Sequence, residues 1–132
     1  MKVSATIKNK LDQHKVVVQT NDAAKEVSIP PRATGYGSSL NGAELLLLSL
    51  ATCFCNDIYR EAAKRNIKVS GIDVEFTGEF GAEGEPGFNF QYKAQVDSDA
   101  PAEEIEKLVE DTDKIAEIHK TLRQGLNITL MK

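Results

Sequence analysis

The sequence predicts an α+β fold, with antiparallel strands and one long helix in a single domain that covers residues 1–132. Two observations favour this class. Runs with strand periodicity and runs with helix periodicity come in blocks along the chain, and they do not alternate one by one. In addition, 41% of the 132 residues are hydrophobic and 27% are charged, which is ordinary for one globular domain.

The first block is a predicted meander of three short strands. Residues 3–7 and 14–19 are rich in β-prone side chains, and a weaker strand is predicted at residues 25–29. The polar residues 8–13 predict a turn between the first two strands. The Pro-Pro pair at residues 30–31 ends the regular pairing, because proline has no N–H group to donate.

A long helix is predicted over residues 41–66, which are rich in helix-forming side chains. Asn41, or Ser39 just before it, is the predicted N-cap, and Glu44 falls in the favourable first turn. Residues 45–55 are apolar on nearly every side, so this part of the helix is predicted to be buried all round. A helix ~39 Å long is too large for one small chain to cover. We therefore expect a homodimer in which this apolar run is nearly inaccessible.

The second half of the chain predicts a hairpin, two helices and a last strand. Residues 72–80 and 88–96 alternate apolar and polar side chains, which is typical of a half-buried antiparallel sheet. Ser98 or Asp99 is the predicted cap of the first helix. The last three predicted features are a second helix at about residues 113–124, a helix-ending Gly125 and a strand at residues 126–130. The predicted buried stripes are Ile105, Leu108 and Val109 in the first helix, and Ile115, Ile118 and Leu122 in the second.

Charge and hydropathy exclude several classes of function. The net charge of −4 argues against non-specific binding to nucleic acid or anionic membranes, which requires a basic surface. The longest apolar run, residues 45–55, is far shorter than the roughly 20 residues of a transmembrane helix. The first residues are polar after a single valine, so no signal peptide is predicted. We expect a cytoplasmic protein with free thiols.

Cys53 and Cys55 are the first candidates for chemistry. Two residues apart on a helix, they point about 200° away from each other, which opposes a disulfide and joint binding of one metal. With only His14 and His119 besides, neither a zinc site nor another cofactor is expected. His119 is predicted to lie on the surface. Both thiols can equally be small buried side chains without a chemical role.

Two charged side chains share the helix face of Cys53. Asp57 is four residues on and Arg60 is seven residues on, and Arg60 leans back toward the thiol. A cation near a thiol favours the reactive thiolate, whereas Asp57 opposes it. The alternative is a solvated ion pair between Asp57 and Arg60. The loop before the helix, residues 35–42, lacks the spacing of a phosphate-binding motif and is predicted to be a flexible connection.

The run GYGSSLNGAELLLLSLATCFCNDI, residues 35–58, resembles the OsmC/Ohr family of osmotically induced and organic-hydroperoxide-resistance proteins. In that family a glycine-rich loop and an Asn-Pro-Glu-type helix start lead into Ala-Ala-Cys-Phe. Here Asn41 matches the Asn, and residues 51–54 match the cysteine segment. The resemblance implies an intertwined homodimer in which antiparallel sheets wrap around two long central helices.

The resemblance also implies a thiol peroxidase that reduces organic hydroperoxides or hydrogen peroxide in oxidative-stress defence. Cys53 takes the place of the peroxidatic cysteine, which becomes a sulfenic acid. In the family an Arg holds the thiolate and a Glu orients that Arg. In this chain the candidates are Arg32 or Arg60 for the first role and Glu44 for the second.

The chain departs from the family at three positions. The usual Glu position holds Ala43, with Glu44 next to it, and residues 1–31 contain no Arg. The family's resolving cysteine should fall near Ala116, where this chain has no cysteine. We therefore expect an external thiol to regenerate Cys53.

Helix geometry places a further condition on the proposed site. Glu44 is about 13.5 Å along the helix axis from Cys53 and half a turn around it, so the two cannot meet within one helix. If Glu44 acts on a thiol, that thiol belongs to the second subunit. The alternative function is a non-catalytic dimer of the same fold that binds a small apolar or thiol-bearing ligand at the subunit interface.

Overall fold

A computed structural model describes all 132 residues. Five strands and three helices follow one another in the predicted order, and the sheets are antiparallel, so the α+β prediction is confirmed. Contacts within the chain group it into two compact units, Met1–Leu45 and Leu46–Lys132. None of the helices combines the length and the apolar character that crossing a bilayer requires.

The first unit contains the predicted meander: β1 Val3–Lys10, β2 Gln13–Thr20 and β3 Ala23–Val27. Two-residue turns, Leu11-Asp12 and Asn21-Asp22, connect the strands, so β1 and β2 extend further into residues 8–13 than predicted. Asp12 and Asn21 have φ angles of 56° and 50°. Their short polar side chains tolerate this left-handed conformation, which tight hairpin turns require.

The loop that precedes the long helix is held against the first hairpin. The Gly35 carbonyl accepts a hydrogen bond from the Asp12 N–H at 2.6 Å, and a Cβ atom on Gly35 would lie 2.6 Å from Asp12 Oδ1. The Asn9 amide accepts from the Gly37 N–H at 3.0 Å and donates to the Gly37 carbonyl at 3.2 Å. The prediction of a flexible connection is therefore wrong, because hydrogen bonds on both sides fix this loop.

The long helix, α1, runs from Gly42 to Lys64. It begins with a reciprocal cap that confirms Asn41 as the N-cap: the Glu44 N–H donates to Asn41 Oδ1 at 2.8 Å, and the Asn41 N–H donates to Glu44 Oε1 at 3.2 Å. Leu48 is 57% exposed in the single chain. The chain alone therefore does not bury α1 all round. The buried apolar side chains of α1 are Leu50, Phe54, Ile58 and Ala62.

The core of the second unit lies between α1, a hairpin and the helix after it. The hairpin strands are β4 Val69–Glu79 and β5 Phe88–Ser98, which pair antiparallel as predicted. Phe76 pairs with Tyr92 across the hairpin, and their rings stack at a centroid distance of 4.4 Å. Apolar residues of both strands pack on the fully buried cluster of Phe54, Ile58, Ala62 and Leu108.

Two helices follow, α2 Ala102–Ile115 and α3 Glu117–Gln124. Pro101 occupies the cap position of α2 and no side chain caps the helix, so the predicted capping by Ser98 or Asp99 is wrong. Ser98 Oγ instead donates to the Lys68 carbonyl and holds the end of the hairpin. Ala116 has a non-helical ψ of 118° and separates α2 from α3.

Burial at the end of α2 and along α3 differs from the prediction. Ile115 and Leu122, both predicted to be buried, are 38% and 37% exposed, while His119 is only 4% exposed. The surface prediction for His119 is therefore wrong. The predicted strand at residues 126–130 is wrong, because these residues pair with neither of the two sheets. Ile128 and Leu130 are consequently 91% and 84% exposed.

Candidate functional site

Cys53 lies on α1 with its sulfur facing two carboxyl groups. Its thiol donates a hydrogen bond to Asp57 Oδ2 at 3.5 Å, and the i, i+4 helix spacing brings these side chains together. Glu117 Oε2, on the first residue of α3, lies 3.9 Å from the same sulfur. The break at Ala116 starts α3 at this point, so residues 64 positions apart in sequence meet at one thiol.

Arg60 completes the cluster around the two carboxyl groups. Its Nη1 atom lies 3.1 Å from Asp57 Oδ1 and 3.2 Å from Glu117 Oε1, and its Nε atom lies 3.0 Å from Glu61 Oε1. Asp57 and Glu117 thus each use one oxygen for Arg60 and turn the other toward Cys53. The Asp57–Arg60 ion pair considered from the sequence is present, with Asp57 only 5% exposed and the side chain of Arg60 42% exposed.

The surroundings of Cys53 disfavour its thiolate. Burial raises the pKa of the Cys53 thiol, and the negative charges of Asp57 and Glu117 act in the same direction. The backbone N–H of Ile118, at the start of α3, donates to the sulfur and lowers the pKa in part. The net direction is upward, so the protonated thiol predominates at neutral pH.

The two carboxyl groups beside Cys53 differ in their affinity for a proton. Burial, and then the charge of Glu117, raises the pKa of Asp57 above the usual carboxyl range, although Arg60 opposes this shift. A hydrogen bond from its own backbone N–H, and then the charge of Arg60, lowers the pKa of Glu117. The buried Asp57 therefore holds a proton more readily than the exposed Glu117.

The same three side chains are the group that could hold a metal ion. Donor atoms of Cys53, Asp57 and Glu117 all lie within 4.8 Å of one another. Arg60 already supplies positive charge to both carboxyl groups, so the ion pairs account for this arrangement by themselves.

Arg32 and Glu44, the other two residues that the sequence singles out, belong to the first unit. Arg32 Nε donates to the Ser38 carbonyl at 3.2 Å and so braces the loop before α1. Glu44 completes the cap of α1 with Asn41. Both side chains therefore have a structural role in their own unit.

The position expected for a resolving cysteine directly precedes Glu117. Ala116, at this position, is fully buried, and the carboxyl group of Glu117 contacts the Cys53 sulfur. The position where the family resemblance implies a resolving cysteine therefore carries no thiol. Cys55, the second thiol, is free and half-buried on α1.

His119 is a buried polar residue that sequence reasoning missed. Its ring packs on Phe54, Phe76 and Tyr92 at centroid distances of 5.8, 5.5 and 5.2 Å. Burial, and then the charge of Arg123, lowers the pKa of His119, so the imidazole is neutral at pH 7. Neither ring nitrogen has a hydrogen-bond partner in the chain. The one local signal for its burial is helical spacing, because His119 lies three residues before Leu122 on the same face of α3.

An apolar cavity of about 390 Å³ opens next to this aromatic cluster. Two of its lining residues are close in sequence to the cluster around Cys53. Leu50 precedes Cys53 by one helical turn, and His119 follows Glu117 by two residues. The cavity is lined by Leu46, Leu50, Phe76, Phe90, Gln91, Tyr92, His119, Leu122 and Arg123.

The sequence matches the family model of OsmC-like proteins over residues 35–131. This range contains α1, the hairpin, both C-terminal helices and the whole Cys53 cluster. No curated protein matches the sequence.

Several solved structures share the fold at low sequence identity. The OsmC-like protein of Mycoplasma pneumoniae is 18% identical, with a TM-score of 0.63 over 91% of this chain and 87% of its own. The organic hydroperoxide resistance protein OsmC of Legionella pneumophila is 19% identical, with a TM-score of 0.61 over 93% and 90%. The organic hydroperoxide resistance protein OhrB of Bacillus subtilis is 15% identical, with a TM-score of 0.55 over 91% and 89%.

Proposed function

Because the chain belongs to the OsmC-like family, whose model matches residues 35–131, we propose that it is a thiol peroxidase that reduces organic hydroperoxides through Cys53. One observation carries this proposal: Cys53, at the position of the family's peroxidatic cysteine, is a free thiol surrounded by ionisable groups. Solved structures named as organic hydroperoxide resistance proteins share the fold, which supports the same reading.

The reaction needs only the thiol, a peroxide and an external reductant. The sulfur of Cys53 attacks the outer oxygen of the hydroperoxide, the O–O bond breaks, and an alcohol leaves with one proton. Cys53 is then a sulfenic acid. Two external thiols reduce it, releasing water and becoming a disulfide. The presence of Ala116 at the expected resolving position supports this dependence on an external reductant. We infer that the protein is cytoplasmic, where small thiols are available as reductants.

The cavity favours peroxides with an organic group. Its walls are mainly aliphatic and aromatic, so an apolar substituent that leaves water for this space is stabilised by roughly 0.8 kcal/mol per buried methylene group. Hydrogen peroxide has no such substituent. We infer that bulky organic hydroperoxides are better substrates than hydrogen peroxide.

Three further residues keep proposed roles. Arg60 balances the charge of the carboxyl groups that contact Cys53. Arg32 and Glu44 are the candidates that the family pattern implies for the Arg that holds the thiolate and the Glu that orients it. Each has a hydrogen-bond partner in the first unit, so replacing either tests stability and turnover together.

The direct test is to find where peroxide oxidises the protein. Treatment with cumene hydroperoxide should form a sulfenic acid on Cys53, which a dimedone-type probe traps and peptide mass spectrometry locates. Cys55 should stay largely unlabelled and serves as the internal control. Labelling on Cys55, or on neither thiol, would contradict the proposal.

One observation favours a second candidate function. The pKa of the Cys53 thiol is raised, mainly by burial, and a raised pKa slows peroxide attack at neutral pH. Together with the apolar cavity, this fits a non-catalytic protein that binds a small apolar or thiol-bearing ligand. Absence of peroxide consumption, with retention of such a ligand, would support this second function.

We also propose that the protein is a homodimer built around α1. Leu48 in the apolar run of α1 is 57% exposed in the single chain, and the C-terminal Ile128 and Leu130 are 91% and 84% exposed. Large apolar side chains concentrated on a few surfaces indicate an interface, and a second copy supplies matching ones.

Sedimentation should show a stable dimer at micromolar concentration. Leu48→Glu places a charge in the proposed interface, and we expect it to shift the protein to a monomer. Leu11→Glu is the matched control, because Leu11 is similarly exposed, at 53%, but lies in a hairpin turn. A monomeric wild-type protein would contradict the dimer.

A further inference from the structure

The oxygens of two carboxyl groups divide their contacts between the Cys53 sulfur and Arg60. Asp57 presents Oδ2 to the sulfur at 3.5 Å and Oδ1 to Arg60 at 3.1 Å. Glu117 presents Oε2 to the sulfur at 3.9 Å and Oε1 to Arg60 at 3.2 Å. Arg60 therefore fixes both carboxyl groups in orientations that point one oxygen of each at the reacting atom.

We propose that Asp57 and Glu117 act as one proton-transfer pair, which takes the proton of the Cys53 thiol and returns it to the leaving group. This inference rests on the proposed peroxidase function and names the acid–base groups of that reaction. Both side chains contact the reacting sulfur, so both are catalytic residues in this reading.

The pair accounts for every proton of the oxidation step. The Cys53 S–H bond breaks and its proton moves to a carboxylate oxygen of the pair. The sulfur then forms a bond to the outer peroxide oxygen while the O–O bond breaks, so sulfur is oxidised and the peroxide is reduced. The departing alkoxide takes a proton from the pair and leaves as an alcohol, and the sulfenic acid keeps the hydrogen of the outer oxygen. The pair ends in its starting state.

Arg60 cannot replace the carboxyl pair as the base that takes the thiol proton. A guanidinium group does not accept the thiol proton, and here it is shared among Asp57, Glu61 and Glu117. Its positive charge is therefore largely balanced before it can stabilise a thiolate. A base is then needed to remove the thiol proton, and the two contacting carboxyl groups are the bases at hand.

The charged and polar groups that face the sulfur agree with this assignment. They come from two elements: Asp57 and Arg60 from α1, and Glu117 with the Ile118 N–H from α3. The pKa of Asp57 is raised, in part by the charge of Glu117, so Asp57 is the stronger base of the pair and the one suited to receive the thiol proton. The lowered pKa of Glu117 keeps that carboxylate ionised beside it.

The test compares two reactions of the same thiol in Glu117→Gln. Alkylation by iodoacetamide needs the thiolate but no proton for its leaving group, whereas peroxide reduction needs both. Removing the negative charge of Glu117 lowers the thiol pKa, so alkylation should become faster at pH 7. The single-turnover rate with cumene hydroperoxide should fall. We expect the peroxide-to-alkylation rate ratio to drop at least about tenfold, part of the 10²–10⁴-fold that acid–base catalysis contributes.

Two further variants make the result specific. Glu117→Asp keeps a carboxyl group and should recover much of the ratio. Glu106→Gln, at an exposed position of α2 without an ion pair, should leave the ratio unchanged. The side chain of Glu117 is 64% exposed, so the amide variant should fold normally.

Two outcomes would overturn the inference in distinguishable ways. A wild-type protein that consumes peroxide, with an unchanged ratio in Glu117→Gln, would overturn the role of the carboxyl pair alone. A wild-type protein that is alkylated at Cys53 but does not react with hydroperoxide would overturn both this inference and the proposed function.

Discussion

Replacing Cys53 with serine should reduce turnover of cumene hydroperoxide, with a dithiol as reductant, by at least about 10³-fold. A serine hydroxyl is a far weaker nucleophile than a thiol and cannot form a sulfenic acid. The substitution exchanges one atom and leaves the helix contacts nearly intact. The loss therefore reports on the sulfur itself and not on the fold. The rate of peroxide consumption at saturating reductant is the measurement.

Cys55 supplies the matched control within the same helix. Cys55→Ala should keep turnover within about threefold of wild type, a change of about 0.65 kcal/mol in barrier. Peptide mapping without reductant should show no Cys53–Cys55 disulfide after peroxide treatment, because the two side chains point to opposite sides of α1. A high yield of that disulfide, together with collapse of turnover in Cys55→Ala, would make Cys55 the resolving thiol.

Much of the fold could be predicted from local patterns. Alternating apolar residues located the hairpin of β4 and β5, and the helix-forming run located α1 to within a few residues. Asn41 followed by Glu44 located the start of α1, because a reciprocal cap needs only those two side chains. These features depend on neighbours a few residues away, which a sequence displays directly.

What depends on distant contacts was predicted less well. His119 is buried although it is polar, whereas the apolar Ile115 at the end of α2 and Leu122 in α3 are 38% and 37% exposed. Residues 126–130 have the composition of a strand. A strand also needs a neighbouring strand to hydrogen-bond with, and these residues pair with neither sheet. Periodicity predicts amphipathic faces and does not show against what they pack.

In the candidate site, too, local contacts could be predicted from the sequence and the distant one could not. Cys53, Asp57 and Arg60 share a helix face, so their meeting follows from helix geometry alone. Glu117 joins them from α3, and no spacing in the sequence connects it to Cys53. The family pattern pointed to the neighbouring Ala116 only because a resolving cysteine was expected there. The acidic group next to that position became visible only in three dimensions.

Phe54→Ala should have the largest effect on stability, because the ring next to the reactive cysteine is the centre of the core. Phe54 is fully buried, meets Tyr92 edge-on at a centroid distance of 5.0 Å, and packs with Ile58, Ala62 and Leu108. Its removal leaves a cavity between α1, the hairpin and α2 that rigid neighbours cannot close. We expect a loss of about 3–5 kcal/mol in the free energy of unfolding, a large part of the 5–15 kcal/mol typical of a domain.

The free energies should be measured by urea denaturation at one fixed protein concentration, because dimerisation makes apparent stability depend on concentration. Phe88→Ala is the control: this ring is 49% exposed at the start of β5, so its removal should cost roughly 1 kcal/mol or less. Cys53→Ser should also stay close to wild type, which separates the chemical role of residue 53 from the packing role of residue 54. If Phe54→Ala lost no more stability than Phe88→Ala, Phe54 would not be the centre of this core.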